Sequence, residues 1–233
     1  MDWSLEYQEC AGDRQSPINL AAAYVTQVEP DKFGLMFSPK SCPSNLYGFL
    51  QNDHSWKVDF AQCLNNQNYA STLEFEGQSY ELLQMHVHSP SEHTFGGGEE
   101  DGELHFVHVN ANGSGNLLVV GVMFSASHGF ANSELEQYWS HIQGTSDELF
   151  VSSPYDMLPA SPTYFTYLGS LTTPPCSEIV TWVVMSDKVK ISTTQLETFR
   201  YAVQHFPGST VSEECNTNRP PMPLNERHIY HSG

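Results

Sequence analysis

Two short stretches, Gln84-Met85-His86-Val87-His88 and Glu103-Leu104-His105, carry the side chains that metal chemistry needs. Side chains on an extended strand alternate between faces, so Gln84, His86 and His88 point one way, as do Glu103, His105 and Val107. Two such strands laid side by side aim three imidazoles at one point. Three neutral imidazoles with an open fourth position describe a catalytic zinc (Zn2+) site, because structural zinc sites close their tetrahedron with a fourth protein ligand. A lone His-x-His pair is more often a pair of ordinary surface or core histidines. The third histidine in phase, with Gln84 and Glu103 placed to hydrogen-bond the rings from behind, favours metal.

The elements that must position these residues are mostly strands. Runs rich in Val, Phe, Trp and Tyr, bounded by Gly, Pro, Asn and Ser, cover Leu46–Leu50, Ser55–Phe60, Leu82–His88, Leu104–Asn110, Leu117–Phe124 and Ile179–Met185. Leu117–Phe124 is almost continuously apolar and predicts a central strand covered on both faces. Helical patterns are few, Ser133–Ile142 and Thr193–His205 being the best, the second opening on Ser/Thr capping candidates. Gly96-Gly97-Gly98 reads as a tight loop between strands, since no helix pattern follows to make a phosphate cradle. No internal repeat, low-complexity tract or linker divides the chain, so residues 1–233 read as one β-dominated domain with peripheral helices.

At 233 residues, 39% hydrophobic and 12% aromatic, the chain is long enough for a substantial core and has no signature of disorder. No apolar run approaches the ~20 residues of a membrane span, and the first residues lack a signal-type apolar region. Met1-Asp2-Trp3 therefore reads as a start placed directly ahead of the folded domain. Nine Lys+Arg against 27 Asp+Glu give a formal charge of −18, which opposes nucleic acid and anionic membranes. A solvated acidic surface explains that charge; adaptation to saline surroundings is the sharper alternative. The five cysteines, Cys10, Cys42, Cys63, Cys176 and Cys215, are widely spaced and form no C-x-x-C pair, which argues against a cysteine-bound zinc or iron–sulfur centre. Their odd number leaves at least one thiol outside any internal pairing, and five reduced thiols remain open from composition alone.

Four landmarks fall in order: Gln15-Ser16-Pro17-Ile18-Asn19, His86-Val87-His88 with Ser91-Glu92-His93-Thr94, Glu103-Leu104-His105-Phe106-Val107-His108, and Ser170-Leu171-Thr172-Thr173-Pro174-Pro175. Together, from about Trp3 to Arg227, they closely resemble the α-class carbonic anhydrases. The resemblance implies a mainly β (α+β) fold with a large, mostly antiparallel twisted sheet, short flanking helices and a conical cleft. It implies His86, His88 and His105 as zinc ligands, with Gln84 and Glu103 behind them. Thr172 matches the hydroxyl that orients a zinc-bound hydroxide and passes its own proton to Glu92, and Thr173 shares the pocket. His54 matches a proton shuttle. Val107, Val119, Leu171, Val180 and Trp182 match an apolar wall for carbon dioxide, and Ser16, His93 and Tyr167 a buried hydrogen-bond network. Cysteines at the positions of Cys10 and Cys176 pair in secreted members.

The implied reaction is reversible hydration of carbon dioxide to bicarbonate and a proton, with sulfonamides and anions as inhibitors. The implied location is secreted or lumenal/periplasmic, with the targeting segment outside this sequence; Asn112-Gly113-Ser114 is a glycosylation triplet compatible with that route. Three departures stand against the family pattern. Ser89, followed by Pro90, replaces a Trp after His-x-His; Lys57 replaces an Asn in the cleft; and an N-terminal arm with a water-ordering Tyr is absent before Trp3. Two other readings remain. His86-x-His88-x-x-x-Glu92 also fits the opening of a cupin metal motif, and a relative of the same fold could serve as a non-catalytic binding module.

Overall fold

Extended segments whose side chains alternate between the two faces of a sheet form the centre of this molecule. The computed structural model describes residues 3–21, 24–51, 55–66, 68–142, 149–161, 163–207, 209–211 and 214–233. In chain order the elements are β1 (Val25–Val28), β2 (Met36–Ser38), β3 (Cys42–Pro43), β4 (Gly48–Gln51), β5 (Trp56–Asp59), α1 (Ala61–Leu64), β6 (Thr72–Phe75) and β7 (Gln78–His88). They continue with β8 (Gly102–Asn110), β9 (Leu117–Ser127), α2 (Ser133–Ile142), β10 (Val151–Ser152), β11 (Tyr164–Gly169), β12 (Val180–Met185), β13 (Val189–Ser192), α3 (Thr193–Gln204) and β14 (Ile229–Ser232).

Twelve strands form one sheet in the order β1-β14-β11-β12-β9-β8-β7-β5-β4, with β13 added to β9 and with β6 and then β2 extending from β7. The sheet is mixed: β1·β14, β9·β12 and β9·β13 are parallel ladders, and the ladders around the histidines are antiparallel. A separate two-stranded piece pairs β3 with β10.

Both faces of the sheet centre are buried, as the apolar run in β9 predicts. Leu118, Val120, Val122 and Phe124 enter one core with Leu104 and Phe106 of β8, Trp139 of α2 and Phe199 of α3. Val119 and Met123 enter a second core with Val107, Val180 and Trp182. Complete burial of such side chains contributes roughly 1.5–3 kcal/mol each. The second core lies on the histidine face, so the same alternation that builds the hydrophobic interior also sets the floor of the site.

The helices act as backing for the first core. Asn132 Oδ1 accepts the Leu135 N–H at 2.9 Å to start α2. Ser192 and Gln195 form a reciprocal capping box at the start of α3, at 3.0 and 3.1 Å. α3 ends at Gln204, one residue before the range its periodicity predicts. The strands missing from the sequence reading, such as β11, β13 and β14, are four to six residues long and are defined by neighbours distant in the chain.

Two bridges close loops, Cys10–Cys176 and Cys42–Cys63, and Cys215 remains a buried thiol. The first is the pair the resemblance implies; the second settles two cysteines the sequence left open. Asn112 lies in the exposed turn between β8 and β9, where its Oδ1 accepts the Ser114 N–H at 2.8 Å.

Cys10 and Cys176 are 166 positions apart, a loop whose closure in the unfolded chain is worth up to about 5 kcal/mol on a chain-entropy basis. The Cys10→Ser/Cys176→Ser variant should lose about 3–5 kcal/mol in urea unfolding. A loss under about 1 kcal/mol would show that the bridge does little for the folded state.

Candidate metal centre

The three histidines meet because β7 and β8 pair in one register. Gln84 lies opposite Val107, His86 opposite His105, and His88 opposite Glu103, so all six side chains share a face. A bulge between Leu82 and Gln84 makes this possible. Strict alternation would put Leu82 on the histidine face; the extra residue returns Leu82 to the first core and starts the histidine phase afresh. The ring centroids of His86, His88 and His105 stand 4.9–5.1 Å apart, with one nitrogen of each within 4.8 Å of the others.

The second nitrogen of each ring is held by an acceptor. His86 Nδ1 donates to Gln84 Oε1 at 2.9 Å, and His88 Nδ1 to the Thr217 carbonyl at 2.8 Å. His105 is turned the other way, with Nε2 3.0 Å from Glu103 Oε1. Carbonyls and carboxylates offer no proton, so each imidazole keeps its N–H on the outer side and presents a lone pair to the centre. Burial also lowers the His105 pKa, which favours the neutral ring.

In the tautomers that those outer acceptors select, His86 Nε2 and His105 Nδ1 face each other at 3.3 Å as two lone pairs. Tetrahedral zinc with Zn–N of about 2.0–2.1 Å would space two ligands by about 3.3 Å. The donor set therefore fits zinc. His93, Glu103 and His105 also bring donor atoms within 4.8 Å, but the Glu103 oxygens are already committed to hydrogen bonds.

Glu103 is the hub behind the centre. Its Oε2 accepts the backbone N–H groups of Glu92 and His93 at 2.9 and 2.8 Å. Its Oε1 receives His93 Nδ1 at 2.7 Å as well as His105. Burial alone would raise this carboxyl, but the fields and hydrogen bonds of His93 and His105 hold it well below the usual carboxylate range. Gly121 of β9 provides the room: a Cβ there would lie 2.7 Å from Glu103 Oε1. The network continues from His93 Nε2 to the Tyr167 hydroxyl at 2.6 Å, and Tyr167 donates to Ser16 Oγ at 2.9 Å.

Glu92 and Thr172 lie on the other side of the imidazoles. Glu92 Oε1 accepts the Arg219 N–H at 2.9 Å, and Oε2 is 3.6 Å from His88 Nε2 and 3.9 Å from His105 Nδ1. Burial pushes the Glu92 carboxyl up to about 7, opposed by His105, the Arg219 N–H and the Thr172 hydroxyl. Thr172 and Thr173 sit in the turn after β11, where the Thr173 carbonyl accepts the Cys176 N–H at 2.9 Å. Val107, Val119, Val180 and Trp182 form one buried cluster with Leu171 packed against it, and the Trp182 ring lies 4.9 Å from that of His105. Lys57 stands opposite His86 on β5 and pairs with Asp59 at 3.8 Å. His54 lies outside the described residues.

The sequence model of eukaryotic-type carbonic anhydrases matches residues 1–233. The chain belongs to that family. A carbonic anhydrase of Klebsiella pneumoniae is 34% identical, the match covering 95% of this chain and 82% of the relative. Human carbonic anhydrase 7 is 34% identical over 97% of this chain and 90% of its own length. The solved α-carbonic anhydrase of Thermovibrio ammonificans, in complex with the inhibitor sulfanilamide, aligns at 32% identity with a TM-score of 0.78, covering 98% of this chain and 92% of that one. Membership brings with it carbon dioxide hydration as the family's enzymatic reaction, and it displaces the cupin reading.

Sequence reasoning missed two residues of this carbonic anhydrase site, Thr217 and Arg219. They lie 129 and 127 positions from the side chains they touch, in a segment without regular structure. The one local signal is period two: Cys215, Thr217 and Arg219 are buried while Asn216 and Asn218 are less so.

In metal-free protein, Glu92 and Glu103 should act on stability in opposite directions. The raised pKa of Glu92 means that its contribution is complete below 4.5 and is lost as pH rises through about 7. Glu103, depressed from 4.5, stabilises above that value and loses its effect as pH falls through its folded pKa. Urea unfolding should therefore show a decline of roughly 3 kcal/mol as pH rises from 4.5 to about 7, flattened in Glu92→Gln. A slope unchanged by the substitution would exclude Glu92 as its source.

Proposed function

We propose that this chain hydrates carbon dioxide reversibly at a zinc ion held by His86, His88 and His105. The observation that supports this best is the convergence of the three imidazoles, with two nitrogens 3.3 Å apart that face each other as lone pairs in the tautomers their outer acceptors select. Two facing lone pairs repel, and a cation between them turns that cost into binding. When bound, zinc supplies a Lewis acid that brings the pKa of a water from 15.7 to about 7, making a nucleophile available at neutral pH.

The chain's own residues do the rest. Gln84, the Thr217 carbonyl and Glu103 fix the three tautomers. Thr172 gives its hydroxyl proton to Glu92 and turns an acceptor lone pair toward the centre, orienting the nucleophilic oxygen for attack on carbon. That role requires Glu92 as carboxylate, a form favoured by Thr172 and the Arg219 N–H. Val107, Val119, Leu171, Val180 and Trp182 hold carbon dioxide and keep water from its carbon, while Thr173 lines the polar side. His54 takes the proton released at each turnover to buffer, as a group with an unperturbed pKa near 6.5 can do.

The non-catalytic alternative is disfavoured because all three imidazoles, Glu92 and Thr172 are retained together. Primary sulfonamides and small anions fit the same open position as inhibitors. The two disulfides support folding in an oxidising compartment, extracellular or periplasmic. Among the described residues no helix is long and apolar enough to cross a membrane.

The deciding experiment is carbon dioxide hydration by stopped flow on metal-depleted and zinc-reloaded protein. Activity should vanish and return with one zinc per chain, and His86→Ala should fold but hold little metal. Thr172→Ala should retain zinc and lose about a hundredfold in rate, the scale of one lost positioned hydrogen bond. Equal activity with and without metal would overturn the reading.

His54→Ala should lower kcat in weak buffer while leaving kcat/KM in place, with partial rescue by imidazole, because proton export follows hydration. A parallel fall in both constants without rescue would remove His54 from the shuttle role.

A further inference from the structure

The carbonyl that orients His88 belongs to a segment with no strand ladder to hold it. Residues 216–219 lie in irregular backbone, yet Thr217 offers its carbonyl to His88 Nδ1 and Arg219 offers its N–H to Glu92 Oε1. Both the ring tautomer and the carboxylate position depend on where this short piece of chain sits. Asn218 ties it to the Ser91 carbonyl and Arg219 to Gln15 and the Ser16 carbonyl, while Thr217 itself is tied to Ser89, the residue directly after His88. The Thr217 N–H donates to the Ser89 carbonyl at 3.0 Å, and the Ser89 N–H donates to Thr217 Oγ1 at 2.9 Å.

Ser89 is fully buried, and its hydroxyl is fixed from two sides. Its single proton goes to the Asp101 carbonyl at 2.9 Å. Its lone pair accepts Arg200 Nε–H, also at 2.9 Å. Arg200 stands next to Phe199, which seats α3 in the first core, so the guanidinium is mounted on a rigid element. A hydrogen bond from an ionised donor is shorter and stronger than a neutral one. The carbonyl of Arg200 also accepts Cys215 Sγ at 3.5 Å, at the entry to the same irregular segment.

We infer that Arg200 is a positioning residue for the metal centre, acting through Ser89 and Thr217 to hold the His88 ring. The inference rests on the zinc reading for its function, but the chain of contacts exists without metal. Arg200 fixes Ser89, Ser89 pins Thr217 by a pair of hydrogen bonds, and the Thr217 carbonyl holds the Nδ1 proton that leaves His88 Nε2 as the inward lone pair. Loss of the guanidinium lets the segment drift and lets the ring rotate or change tautomer.

The test uses Arg200→Met, which keeps the stem and deletes the donor. Zinc transfer from the loaded protein to a colorimetric chelator should accelerate about tenfold, the low end for partners that orient a ligand. In a Ser89→Ala background the same substitution should add less than about twofold, because the intermediary is already gone. Arg200→Lys should recover part of the effect. In metal-free protein, the His88 Nδ1–H observed by NMR should exchange faster with solvent in Arg200→Met than in the parent. Unchanged zinc release and unchanged exchange would overturn the inference, as would a full effect persisting in the Ser89→Ala background. A parent protein that holds no zinc but shows the exchange effect would retain the clamp and defeat the zinc reading.

Discussion

An ionised carboxylate with no access to water is the constraint around which this site is organised. Glu103 is fully buried, and a charge so placed is tolerable only when its lone pairs are met by donors. Three N–H groups donate to them, from His93 and the backbones of Glu92 and His93, and His105 Nε2 lies 3.0 Å away. Each satisfies Glu103, and each is itself fixed by doing so. His105 acquires a defined tautomer, the loop carrying Glu92 is anchored, and His93 passes the constraint on to Tyr167 and Ser16. Gly121, opposite His105 in β9, is the cost in packing: any side chain there would occupy the carboxylate's space.

The sheet makes that arrangement possible by giving its two faces different tasks. One face carries the larger core, closed by α2 and α3. The other carries imidazoles and carboxylates at β7 and β8 and passes into apolar side chains at β9 and β12. A polar half and a dry half thus meet along the line between β8 and β9, with His105 and Val107 as neighbours on one strand. The proposed metal chemistry beside an apolar wall needs this juxtaposition, and a single register provides it. A shift by one residue would send every one of these side chains into the wrong core.

The parts legible in the sequence are those governed by local periodicity. His86, His88 and His105 share a phase that two strands convert into a cluster, and α3 declares itself by its spacing and cap. What local pattern could not supply is pairing across distance. The bulge at Leu82–Gln84 has no sequence mark, since Leu82 and Gln84 look in phase until β8 decides otherwise. Thr217 and Arg219 serve the site from a segment whose role depends on where Ser89 and Glu92 lie. Cys42 meets Cys63 only because β3 and α1 are brought together by the fold. The family resemblance bridged some of these gaps, the Cys10–Cys176 pair above all, because it carries long-range information that periodicity lacks.

Charge shows the same division between surface and site. The chain has a formal charge of −18 and only four arginines, Arg14, Arg200, Arg219 and Arg227. None of the four is left simply to solvate the surface. Arg14 bonds Glu178 and the carbonyl beside it, and Arg219 reaches Gln15 and the Ser16 carbonyl. Arg227 gathers the carbonyls of Leu168, Pro223 and Leu224, and Arg200 holds Ser89. These contacts join the N-terminal segment, the turn after β11 and the C-terminal segment, all irregular backbone without ladders. A planar guanidinium with five donors suits that task, because it can satisfy several carbonyls that no strand partner covers. The negative exterior does not act on a neutral substrate such as carbon dioxide and repels an anionic product, so cations are needed less at the surface than in the joints that keep the imidazoles and Glu92 in place.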